Sequence, residues 1–137
     1  MHDLQFSTDA LSRIRAEEDR YHERAYIFVL GAIEYLQSRL DARRHVTGAE
    51  LAWACRDYAV RQFGLLAPSI LDYWGVRKTD DFGRIVFTLV KAGLLVTQPH
   101  DRESDFAEVY PFEAAFGGPY AWEGGRGAPR LAGRSRP

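Results

Sequence analysis

Residues 70–95 read ILDYWGVRKTDDFGRIVFTLVKAGLL, and the punctuation within that run decides the fold. Pro68 suits the first turn of a short helix that ends at Gly75, because its missing N–H is one the first turn leaves unpaired anyway. Trp74-Gly75-Val76 is a tight turn. Thr79 then caps a second helix over 80–92, where Asp80 and Asp81 complement the positive end of the helix dipole. Gly93 stops that helix, and Leu94 to Gln98 has the composition of a strand. A polar turn from Pro99 to Ser104 would return an antiparallel strand over Phe106 to Tyr110.

Upstream, Ser7 or Thr8 can cap a first helix through about Glu18, with Leu11 and Ile14 at apolar spacing. A longer helix is expected from His22 to Asp41. Its main stripe is Tyr26, Val29, Leu30, Ile33, Leu36 and Leu40. Thr47-Gly48-Ala49-Glu50 is a capping box opening a helix to Phe63, with Gly64 as its stop. Phe112 to Phe116 forms a last turn laying aromatics back on the core. The expected domain therefore spans residues 1–116. Residues 117–137 carry six glycines and three prolines and are expected to be a flexible tail.

The expected fold class is mainly α: a winged helix-turn-helix-like core with an N-terminal helical extension and a short two-stranded β wing. The block from Ile70 to Leu95 resembles the second and third helices of winged-helix proteins, where Gly-Leu-Leu leads into the wing. The wider chain resembles an uncharacterised bacterial family best represented in planctomycetes and verrucomicrobia. The resemblance rests on Arg20-Tyr21, the segments 25–29 and 44–51, Phe63-Gly64, Trp74-Gly75-Val76, the segment 81–87 and Asp105-Phe106. It covers about residues 11–116. It implies a fold and no mechanism.

At 137 residues the chain is long enough for one core. No apolar run reaches membrane-spanning length, the N-terminus lacks a signal-peptide pattern, and the single Cys55 precludes an intramolecular disulfide. A cytoplasmic protein without membrane partners is expected. Residues 117–137 hold four arginines against one glutamate, a net +3, so the chain's −1 leaves −4 on residues 1–116. A nucleic-acid-binding domain usually shows a basic footprint, and this core lacks one.

The charge pattern bears directly on function. Phe82, Ile85, Val86, Leu89 and Val90 share the buried arc of helix 80–92, which leaves Asp80, Asp81, Arg84, Phe87, Thr88 and Lys91 outside. Two carboxylates then stand where a DNA-reading helix normally presents basic and amide groups. A DNA- or RNA-binding regulator is thus the alternative reading, with Arg43, Arg44, Arg77, Lys78, Arg84 and Lys91 as its candidate contacts.

The favoured reading is a non-catalytic interaction or oligomerisation module. Tyr21, Phe28 and Tyr35 recur at i, i+7, i+14, roughly opposite the main stripe of helix 22–41, and small residues lie alongside. A helix with two apolar faces is either covered on both sides or offers one face to a partner. A homodimer seam through helix 22–41 is one form of this. With Arg84, Phe87 and Lys91, these residues are the candidate partner contacts.

The four histidines, His2, His22, His45 and His100, contain no pair at metal-ligand spacing, so neither a metal nor a cofactor is expected. Asp101-x-Glu103-x-Asp105 lacks the glycine and the terminal glutamate of a calcium loop. Cys55 sits among alanines and reads as a buried small hydrophobe. His45, before the capping box, is the histidine least easily dismissed as structural. No catalytic constellation is read.

Overall fold

The computed structural model describes Ile14 and residues 20–116, so the tail over 117–137 and most of the expected first helix lie outside the described residues. Ile14 itself is helical and buried. The architecture is mainly helical. It comprises α1 (Glu23–Ser38), α2 (Gly48–Phe63), a 3-10 turn (Gly64–Leu66), α3 (Ala67–Tyr73), α4 (Thr79–Lys91), a second 3-10 turn (Glu103–Phe106) and α5 (Phe112–Phe116). No helix among the described residues is long and apolar enough to cross a membrane.

Local chemistry sets these boundaries. His22 caps α1, its Nδ1 accepting from Arg24 N–H at 3.0 Å. The Thr47–Glu50 capping box opens α2: Thr47 Oγ1 accepts from Glu50 N–H at 3.1 Å, and Glu50 Oε1 accepts from Thr47 N–H at 2.9 Å. Gly75 turns the chain between α3 and α4 with φ +93°, a conformation that side chains with a Cβ avoid. The His22 N–H donates to the Trp74 carbonyl at 3.1 Å, fixing the start of α1 onto that turn.

Thr79 does not cap α4 from outside, as the sequence suggests. It is the first helical residue, its hydroxyl donates to the Phe106 carbonyl at 2.6 Å, and it accepts from Val109 N–H. The capping falls to Asp81, whose Oδ2 accepts from Arg77 N–H at 2.8 Å and Lys78 N–H at 3.2 Å.

The two-stranded wing expected over 94–98 and 106–110 is not formed, and no strand occurs among the described residues. Three features compete with a ladder. Leu94 and Leu95 are both buried, so side chains do not alternate between core and solvent as a half-exposed strand requires. Asp101 and Asp105 carboxylates accept from Gln98 N–H and Arg102 N–H, closing local turns. Finally, Phe106 is drawn wholly into the core. It lies between Gly48 at the start of α2 and Gly83 on α4, and a Cβ added at Gly83 would sit 2.9 Å from Phe106 Cβ. The wing segment is thereby a 3-10 plug.

The core runs from Tyr26, Val29 and Ile33 on α1 through Leu51 and Cys55 on α2 to Phe82, Ile85 and Leu89 on α4. Each Val, Leu, Ile or Phe among them contributes on the order of 1.5–3 kcal/mol by leaving water. α5 returns aromatics as expected: Phe112 stands 5.9 Å from Phe82, and Phe116 stands 5.1 Å from Phe112. Buried Arg56 ties α2 to this segment by donating from Nε to the Ala115 carbonyl at 3.2 Å.

Candidate interaction surface and histidine–aspartate cluster

The second apolar face of α1 is covered within the chain. Tyr21 and Phe28 are buried. The Phe28 ring centroid lies 5.2 Å from Tyr58, 5.8 Å from Trp74, 6.1 Å from Phe63 and 6.4 Å from Phe82. Tyr21 and Phe28 are therefore corrected from partner contacts to core residues, because α2, α4 and the Trp74 turn fill the face they define. Tyr35 belongs to a separate half-exposed cluster, with the Arg39 and Arg61 guanidinium carbons 5.3 and 5.8 Å from its ring centroid. On α4, Phe87 is half-buried at the core's edge, Arg84 is half-buried and Lys91 is exposed.

Ile27 on α1 and Val96 after α4 are singly exposed, but the most exposed large apolar side chains among the described residues cluster elsewhere. Leu65 is 72% exposed, Leu66 63% and Tyr73 77%, all at the corner formed by the 3-10 turn and α3. From Leu66 at the end of the 3-10 turn, half-buried Ile70 and Tyr73 follow at i+4 and i+7 on one side of α3, while Ala67 and Leu71 on its other side are fully buried. His22 packs its ring 5.8 Å from that of Tyr73, at the corner's edge. The signal was present in the sequence: a seven-residue helix with apolar residues on two sides can bury only one of them.

Three of the six candidate nucleic-acid contacts are engaged with carboxylates of the chain. Arg43 pairs with Glu34 at 3.3 Å, Arg44 with Glu50 at 2.8 Å and Arg77 with Asp72 at 2.8 Å. Lys78 and Lys91 are exposed at opposite ends of α4. Asp81 is corrected: it points inward, where Tyr21 and two backbone N–H groups hold it, so only Asp80 stands at the start of the outer face. Beside Asp80, a cleft of about 450 Å³ is lined by Lys78, Thr79, Asp80, Glu108, Tyr110 and Pro111. Glu108 lines it with φ +50°, its N–H donating to Asp80 Oδ1 at 3.3 Å.

Sequence spacing also missed a convergence of two loops. His45 precedes α2, and His100 and Asp101 follow α4. One ligand atom from each of the three lies within 4.8 Å of the others. His45 Nε2 is 3.1 Å from Asp101 Oδ1, and the two imidazole centroids are 5.5 Å apart. No local motif encodes a pair separated by 55 positions. Cys55, by contrast, is as expected: it is fully buried, and burial pushes its thiol pKa well above the ordinary range, away from thiolate chemistry.

Comparison with protein-family models, with curated proteins and with solved structures gave no match to this chain.

Proposed function

We propose that this chain is a non-catalytic protein–protein interaction or oligomerisation module with a winged-helix-type core, acting in the cytoplasm. The observation that carries this reading is the exposed apolar corner of Leu65, Leu66 and Tyr73. Among the described residues every other Phe, Tyr and Trp is buried or half-buried, so Tyr73 standing in water beside Leu65 and Leu66 of the 3-10 turn is the exception. Adjacent exposed apolar side chains of this kind mark contact surfaces, and tyrosine is enriched among the residues that dominate binding energy. Asp72, Arg77 and Ser69 supply a polar border of the sort that rims such contacts. The occupant is a second copy of the chain or an apolar groove of another protein.

A photo-crosslinking amino acid placed at Tyr73 tests this directly. Cross-linked dimer or a discrete heteromeric product from position 73, and none from a control at exposed Glu113, is expected. A lone monomer from both positions would overturn the reading.

One observation favours the alternative of a nucleic-acid-binding regulator. The inward turn of Asp81 removes one of the two carboxylates from the start of α4, leaving Lys78 beside Asp80 there. That reading requires salt-dependent binding of duplex DNA or RNA that weakens when Arg77, Lys78, Arg84 and Lys91 are neutralised. Binding indifferent to those changes would assign any affinity to the arginine tail.

A further inference from the structure

We propose that His45, His100 and Asp101 form a binding site for a divalent transition-metal ion, with Zn²⁺ as its natural probe. Two imidazole nitrogens and one carboxylate oxygen are a donor set that suits zinc and its first-row neighbours. Hard calcium and magnesium prefer all-oxygen shells. The spacing fits. Zinc–ligand distances of about 2.0–2.1 Å place tetrahedral ligand atoms roughly 3.3–3.4 Å apart. His45 Nε2 and Asp101 Oδ1 stand 3.1 Å apart, close to one edge of that tetrahedron. The 4.8 Å limit on the remaining separations is closed by rotation of His100, whose side chain is exposed and free to change rotamer.

The surroundings hold two of the three ligands in place. Asp101 has a side chain only 2% exposed, and its other oxygen accepts from Gln98 N–H at 2.8 Å. That contact fixes the carboxylate plane while leaving Oδ1 aimed at His45. His45 is flanked by anchors on both sides. The buried Gln37 side chain grips Arg44 twice, donating to its carbonyl at 2.6 Å and accepting from its N–H at 3.1 Å, and Val46 is wholly buried. Outer contacts of this kind orient ligands and sustain metal affinity. The nearby positive charge of Arg44 is balanced by Glu50. Zinc would take the Nε2 lone pair of His45 in its Nδ1–H tautomer together with Asp101 Oδ1, and water would complete the fourth position.

Bound there, the ion would staple the α1–α2 loop to the segment after α4, the segment that makes a wing in winged-helix proteins. The three ligands share no residue with the apolar corner of the 3-10 turn and α3.

The test uses the full, untagged chain. Calorimetric titration with ZnCl₂ should give one ion per chain, with MgCl₂ and CaCl₂ giving no heat of binding. Co²⁺ should develop visible absorption typical of low-coordinate nitrogen and oxygen ligation. His100→Ala decides the matter, because this exposed side chain can be removed while the His45–Asp101 hydrogen bond is kept. It should weaken zinc binding by at least about tenfold and leave the metal-free melting temperature unchanged. His45→Ala should do the same to binding. Absence of stoichiometric zinc uptake would overturn the proposal, as would uptake unchanged in His100→Ala, which would place the ion at another histidine.

Discussion

Tyr21 donates its hydroxyl to Asp81 Oδ1 at 2.5 Å, joining the chain that enters α1, just before its His22 cap, to the first turn of α4 across sixty positions of sequence. The same carboxylate receives two backbone N–H groups through Oδ2, so one side chain closes the turn after α3, caps α4 and anchors the chain entering α1.

Tyr21→Phe should therefore lower stability by about 1.5–3 kcal/mol, the range for a hydrogen bond to a charged acceptor. Asp81→Ala should cost more, since it also strands two N–H donors at the start of α4. Urea unfolding at neutral pH checks both. Equal stability of Tyr21→Phe and the parent would show that the bond contributes nothing net.

The alkaline limb follows from the same contact. Burial, then the hydrogen bond to Asp81, raises the Tyr21 pKa above its ordinary 10.0, and burial raises that of Tyr110 as well. Above pH 10 the unfolded chain loses these phenolic protons while the folded chain keeps them, so stability falls as pH rises. Tyr21→Phe should have a shallower decline above pH 10 than the parent, measured by the pH dependence of the urea midpoint.

On the acid side, the Arg44 hydrogen bonds hold the Glu50 carboxyl below its usual 4.5, with help from Thr47, against an opposing effect of burial. A lowered folded-state pKa gives stability that is present above 4.5 and lost as pH falls toward the folded value. Glu50→Gln should flatten that acid limb. The pair is partly exposed, so 1 M salt should shrink the difference between variant and parent.

The Phe106 plug sets the sign of a substitution that helix propensity alone would misjudge. Gly83→Ala gains about 1 kcal/mol of intrinsic helix preference. The new Cβ, however, meets Phe106 Cβ at 2.9 Å and the Glu103 carbonyl oxygen at 3.0 Å. Overpacking against backbone typically costs about 1–3 kcal/mol, so net destabilisation is expected. Phe106→Ala should cost about 3–5 kcal/mol. A lower melting temperature for both variants is the readout, and a stabilised Gly83→Ala would show that Phe106 gives way easily.

Cys55 offers an independent check on the core. A thiol reagent should label it at the rate of global unfolding, with rapid labelling only in denaturant.

Much of the helical framework was legible because its signals are local. Thr47 and Glu50 form the capping box, Pro68 lies in the first turn of α3, and Gly75 occupies the left-handed turn that only its missing side chain makes easy. What escaped is non-local. The polar turn over 99–104 suggested a returning strand from Phe106, but the gap between Gly48 and Gly83 that admits its ring exists only after α2 and α4 pack. Tyr21 and Phe28 looked like an open face because the residues that cover them, Asp81, Trp74 and Phe82, come from distant turns. His45 and His100 meet for the same reason. Conversely, Tyr73 stays outside because α3 turns its Ala67–Leu71 side to the core, and Leu65 and Leu66 stay outside with the 3-10 turn that leads into it.

Sedimentation velocity across a concentration series tests the interaction module most directly, run on the parent and on Leu66→Glu with Tyr73→Glu together. These side chains are largely exposed, so the double variant should fold with an unchanged helical spectrum. The account expects self-association of the parent, or a larger complex when its partner is supplied, and neither with the variant. Association at equal strength in both proteins would contradict the account.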